Sequence, residues 1–199
     1  MADGTNERRR ATEPALPTRA NPASATSSAP AVRAMDLEHC TASWRGVFFN
    51  VWNGDCTESA ADGIAQTFKA LVEQHPDGIV ILGVSRPGVA MVPRPEVREK
   101  LSAMLRGHNG GLRGVASAIL GDGFGAAAKR TVMASIAMVA RQPAPLRIFD
   151  ARVPAAQWAA ARLSDGDGSP TADEILSALA GLEARYDDYL RSRGRSPAA

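Results

Sequence analysis

Apolar positions come in blocks of two kinds along this chain, short near-continuous runs and longer stretches at helical spacing. Residues 1–34 belong to neither kind. They hold one Leu (Leu16) and one Val (Val32) among mainly Ala, Pro, Ser, Thr, Arg and Asn. Such a stretch buries too little apolar area to offset its ordering entropy, so a disordered tail is expected over 1–34. Trp44 to Trp52 reads WRGVFFNVW, rich in β-branched and aromatic residues, which predicts a strand. Asp55 offers an N-cap with Glu58 three residues on, and Ile64, Ala65, Phe68, Leu71 and Val72 follow at helical spacing until His75-Pro76. Gly78 to Val84 (GIVILGV) reads as a strand covered on both faces. Pro87, Pro93 and Pro95 mark a loop and the first turn of a helix lined by Val97, Leu101, Met104 and Leu105. Gly114 to Leu120 predicts another buried strand, and Gly121 to Gly125 turns into a long helix ending near Arg141. Leu146 to Phe149 is a short strand, and Val153 to Leu163 a helix anchored by Trp158.

The order β-α-β-α-β-α-β-α implies an α/β fold with a single, mainly parallel sheet of four strands, joined by right-handed crossovers. Residues 36–40 offer a fifth, antiparallel strand, joined to the Trp44 strand by a turn near Thr41. Ser164 to Pro170 is rich in Asp, Gly, Ser and Pro and reads as a linker. The expected organisation is a tail (1–34), an α/β domain (35–163), a linker (164–170), a C-terminal helix (171–193) and a second tail (194–199). In that last helix Thr171 and Glu174 form a capping box behind Pro170. Ile175, Leu179, Leu182, Tyr186 and Tyr189 make a heptad-like seam, too short for a stable coiled coil alone. The seam therefore needs a cover: its own domain, a second copy in a homo-oligomer, or another protein. These five residues are the candidate interaction site.

Composition narrows the function. The 23 Lys+Arg against 21 Asp+Glu leave a net charge of +2 over 199 residues, so no strong field selects nucleic acid. Arg94, Arg98, Lys100 and Arg106 are mixed with Glu96 and Glu99, which reads as a solvated face. Two Cys and three His are too few for a disulfide scaffold or a dedicated His/Cys zinc site. No secretory signal and no membrane span is recognisable, so a soluble cytoplasmic protein with reduced Cys40 and Cys56 is expected. The Arg9-Arg10-Ala11-Thr12 pattern resembles a basophilic kinase site but recurs by chance in Arg-rich tails.

Gly-Asp-Gly-Phe-Gly-Ala (121–126) carries the sharpest chemistry. It satisfies G-x-G-x-x-G/A between a strand and a helix, and Asp150 follows 24 residues after Ala126, near where a ribose-binding acid belongs. Gly121, Gly123, Gly125 and Asp150 thus define an alternative function, a nucleotide-binding protein or NAD(P)-dependent enzyme. Asp122 inside the turn opposes phosphate, and one following strand is too few for a second mononucleotide half, so a structural role for these glycines is preferred. Asp122 and Asp150 could also meet as an acid–base pair, though helix capping is the simpler role. His39, His75 and His108 read as structural or solvated, the latter two at helix ends. Cys56 reads as filling a small buried pocket, with a nucleophile paired to His39 or His75 left open. Ser43, Ser59, Ser85 and Ser117 sit in no G-x-S-x-G elbow, and no P-loop occurs. Met133, Ile136, Met138 and Val139 could line an apolar, lipid-like ligand site, with core packing the alternative.

From Trp44 to Leu163 the chain resembles the STAS-like domains related to anti-sigma-factor antagonists, in particular the SpoIIAA-like group of bacterial proteins. The residues carrying this are VFFNVWNG (47–54) with Asp55-Cys-Thr57, IVILGV (79–84) with Pro93-x-Pro95-x-Val97-Arg98, Gly121-Asp-Gly-Phe124, and Arg147-Ile-Phe149 leading to Trp158. The resemblance implies a four- or five-strand sheet with helices, used for protein–protein contact or small apolar ligands without catalysis. Residues 85–97 read SRPGVAMVPRPEV, without the Asp-Ser pair of phospho-switched antagonists, which speaks against a switch there. The expected function is a non-enzymatic interaction or signalling module, with no catalytic residues, no cofactor and no metal.

Overall fold

A computed structural model describes residues 29–87, 89, 93–107, 110–124, 126–128, 130–131, 144–163 and 168–197. Gly125, His108, Met133, Ile136, Met138, Val139 and the expected run of helix to Arg141 lie outside the described residues, as do the tail to residue 28 and the linker at 164–167.

The two strongest apolar runs become the inner strands. β1 is Ala31–Met35, β2 His39–Trp44, β3 Val47–Trp52, β4 Ile79–Ser85, β5 Leu112–Ile119 and β6 Leu146–Phe149. They form one six-stranded sheet in the order β1-β2-β3-β4-β5-β6. β1, β2 and β3 pair antiparallel, and β3 to β6 pair parallel. The helices are α1 (Glu58–Gln74), α2 (Pro95–Arg106), α3 (Arg152–Leu163) and α4 (Ala172–Ser192), and a further helical segment opens at Gly123.

Four expectations at the N-terminal side are corrected. The strand read as Trp44–Trp52 is two strands, because Arg45 and Gly46 both take positive φ (44° and 77°), as a two-residue hairpin turn requires. The turn expected near Thr41 is therefore at Arg45-Gly46, and Thr41 sits inside β2. Residues 31–34, expected in the tail, belong to β1. A strand at a sheet edge needs little apolar area of its own, since the ladder satisfies its backbone, and Val32 and Met35 pack on the core. The N-cap of α1 is Thr57 rather than Asp55. Its side chain accepts the Ala60 N–H at 3.1 Å.

Alternation splits the sheet residues between two cores. Val47, Phe49 and Val51 share one face with Val80, Leu82 and Val84, where Ala155, Ala156 and Ala159 of α3 and the apolar side of α4 cover them. Phe48 and Trp52 share the other with Ile79 and Ile81, beneath Ile64, Phe68 and Leu71 of α1 and Met104 and Leu105 of α2. The pairing order progresses in one direction, so right-handed crossovers place α1 and α2 on the same face. The opposite face is left for the helices that follow the last strand. There α3 approaches closely because Gly114 leaves room for the Trp158 ring: a Cβ on Gly114 would lie 2.5 Å from it.

The capping box of α4 forms as the sequence suggests. Thr171 N–H donates to Glu174 Oε2 at 2.8 Å, and Glu174 N–H to Thr171 Oγ1 at 3.2 Å. The Thr171 N–H and the Arg45 guanidinium hold the Glu174 carboxyl below its ordinary acidity range. Ile175, Leu179, Leu182 and Tyr186 are buried against the chain's own sheet, so this face is not open to a partner. Tyr189 is a correction: it flanks the seam, half-buried under Arg193, and Leu190 takes the buried position.

Candidate functional site

Because β3 to β6 are parallel, their carboxyl ends share one edge, the edge at which open α/β sheets bind ligands. Segments 53–57, 86–87, 120–124 and 149–150 build it.

The β3 end is held by the β1–β2 turn. Asn53 and Gly54 donate their N–H groups to the Glu38 carbonyl at 2.8 and 3.0 Å. A side chain on Gly54 would collide with the Glu38 carboxylate, 1.5 Å away. Arg195 Nη1 donates to the same carboxylate at 2.9 Å. Asp36 Oδ1 accepts the N–H groups of Glu38 and His39 at 2.8 and 2.7 Å, and its Oδ2 lies 3.0 Å from His39 Nδ1. The His39 ring stacks on Trp52 with centroids 5.3 Å apart. His39 is therefore a buried packing residue. His75 caps α1 through its backbone N–H, which donates to the Leu71 and Val72 carbonyls. Burial pushes its imidazole below the ordinary value, against the opposing pull of Asp77.

The thiols are unprepared for nucleophilic work. Burial pushes Cys40 up to about 12 and Cys56 up to about 11, the latter helped by Asp36. Both are free, and it is Cys40 that is fully buried, while Cys56 is half-buried beside Thr57.

At the β4 end Arg86 is 5% exposed. Its Nη2 lies 2.6 Å from Asp187 Oδ1, and its guanidinium sits 5.2 Å from the centre of the Tyr186 ring. This pair fastens α4 to the strand ends, and no spacing in the sequence connects its members.

At the β5 end Gly121 and Gly123 take φ of 111° and 81°, where a side chain would be strained. Gly121 lies against Pro87, and Arg130 Nη1 donates to the Ile119 and Gly121 carbonyls at 3.1 and 3.2 Å. The glycines thus shape a strand-to-helix turn, and Phe124 emerges from it 89% exposed. Asp122 and Asp150 are both exposed, past the ends of neighbouring strands. The strand order never reverses at β5, so the crevice of a doubly wound sheet is missing beside Gly121. Phe124 was only a spacer in the motif, although a Phe between glycines at a strand end is itself a signal.

Among the described residues no group of three or more His, Cys, Asp or Glu is placed to hold a metal ion, and no helix is long and apolar enough to cross a membrane. The arrangement defines a single-sheet α/β domain with a helical layer on each face. No protein-family model matches the chain, and no curated protein sequence matches it.

Proposed function

We propose that the chain is a STAS-like, non-enzymatic interaction or signalling module of the cytoplasm, which contacts a partner protein at the carboxyl end of β5. Phe124 carries this reading. Covering a Phe side chain is worth about 2–3 kcal/mol, and at 89% exposure this gain is unused in the free chain. Positive-φ glycines present the ring at the edge of the sheet, away from both cores. The burial of the α4 seam against its own sheet moves the expected contact surface away from Leu179 and Leu182.

A photo-crosslinking phenylalanine analogue at position 124, introduced in the native host cell, tests this. One protein should be captured, and its purified form should bind the wild-type chain at least tenfold tighter than Phe124→Asp, with the variant's melting temperature unchanged. Equal binding by the variant would remove Phe124 from the contact. Stabilisation by NAD, NADP or ATP without any protein captured at 124 would favour the nucleotide-binding alternative at Gly121, Gly123, Gly125 and Asp150.

A further inference from the structure

The two edges of the sheet are built differently. At one, Pro30 stands directly before β1, and the register shift between Val32 and Ala34 leaves Arg33 as an extra residue, a bulge. Both devices blunt an edge against further strands. At the other, β6 pairs with β5 over four consecutive residues without a shift, and Leu146 to Phe149 include neither Pro nor Gly. Among the described residues no strand lies on its outer side.

One bond fixes the backbone direction in β6. Val115 N–H donates to the Pro145 carbonyl at 2.9 Å, so the N–H and C=O groups of Arg147 turn inwards to β5, and those of Leu146 and Ile148 turn outwards. The side chains of Arg147 and Phe149 lie on the α3–α4 face beside Ala116 and Ala118, and Ile148 lies on the α1–α2 face beside Ser117. Leu146, Ile148 and Phe149 are half-buried. Arg147 and Asp150 are exposed, and neither has an ion-pair partner among the described residues.

We propose that β6 is the contact by which two copies of this chain pair, antiparallel about a two-fold axis at Ile148, so that their two sheets become one. An axis that keeps each helical layer on its own side passes through a residue and not between two, because side chains and outward backbone groups both alternate. At Arg147 it would set the two guanidinium groups directly opposite each other, which repels. At Ile148 it sets Arg147 against the partner's Phe149, one position from the partner's Asp150. Along the strands unlike charges then lie closer than like ones, and each guanidinium meets an aromatic ring. The two Ile148 residues turn their outward groups to each other on the axis and exchange two N–H···O bonds. Their half-buried side chains cover each other on the α1–α2 face. The strands of the two copies run in opposite directions, so the two Phe124 rings face opposite ways and stay free. The pairing is independent of the Phe124 contact.

Sedimentation equilibrium of the full chain at rising concentration reads the mass, which should climb from one chain, 20.9 kDa, towards two. Ile148→Pro removes an outward N–H and no bond to β5, a position at which an edge strand accepts Pro. It should hold the mass at one chain with the far-UV circular dichroism kept. Ile148→Ala loses the side chain alone and should still pair. Arg147→Glu brings like charges together twice across the axis and should weaken pairing about fivefold or more. Adding Asp150→Arg should restore it, and both positions are exposed, so this rescue leaves the core untouched. Phe124→Asp should leave the mass unchanged. The proposal is overturned if the wild type keeps the mass of one chain throughout, if Ile148→Pro pairs as tightly as Ile148→Ala, if Asp150→Arg fails to restore what Arg147→Glu removes, or if pairing is lost with Phe124→Asp.

Discussion

Arg86 and Tyr186 illustrate how one residue decides the value of its neighbour. A buried guanidinium is tolerable only with a partner, and Arg86 has the Asp187 carboxylate on one side and the Tyr186 ring on the other. The Tyr186 hydroxyl has no partner, and burial raises its pKa well above the ordinary range. Tyr186→Phe should therefore leave stability unchanged or raise it by up to about 1 kcal/mol, since the ring stays and an unpaired hydroxyl goes. Arg86→Ala should cost about 3 kcal/mol, the lower end of the range for a broken buried pair, because Asp187 is 29% exposed and partly solvated without it. Urea denaturation of the two variants checks both. A larger loss for Tyr186→Phe than for Arg86→Ala would show that the hydroxyl has a partner after all. None of this was legible in the sequence, where Arg86 reads as part of a proline loop and Asp187 as one acid on a helix.

Single elements were legible to the degree that their signal is local. The apolar run of β4 and the capping box of α4 are such signals, and each appears where the pattern puts it. The β2–β3 hairpin was hidden because its first turn residue is Arg, where Asn or Asp would announce a turn of positive φ. Arg45 is held there from outside, by an ion pair with Glu174 at 2.8 Å and by stacking over Trp44 at 5.1 Å. At the end of the α4 seam the heptad-like spacing leads to Tyr189, but the buried position is Leu190, four residues after Tyr186, and Tyr189 is half-buried under Arg193. Since α4 is part of the core, damage to it should be felt by the whole domain. Thr171→Ala should lower stability by about 1 kcal/mol and Leu182→Ala by about 2–5 kcal/mol. Each should move one common transition, seen alike by far-UV circular dichroism and by Trp fluorescence. Loss of helix signal with the fluorescence transition unmoved would make α4 an appended element.

At the scale of the molecule, the alternation of apolar runs and helical stretches conveyed an α/β sheet, but not which helices lie on which side. That follows from the strand order, a long-range property, and among the described residues α4 is the helix that packs on β2 and β3 of one face, beside α3. A chain ending at residue 170 should therefore lose its fixed packing even though every strand remains. Near-UV circular dichroism should collapse, and binding of a hydrophobic dye should rise several-fold. A truncated chain that keeps the native near-UV spectrum would mean that the sheet needs no second layer there.

The same layering sets an order of events at the ribosome. The sheet can assemble strand by strand as the chain emerges, because each new strand joins beside the one before it. Its face at Val47, Phe49 and Val51 cannot close until the segment around Tyr186 and Leu190 has been made. At ordinary elongation rates that interval is on the order of ten seconds. For its duration the nascent chain displays a wet apolar sheet, a surface that ribosome-associated chaperones hold, and release of that grip awaits the last turns of the final helix.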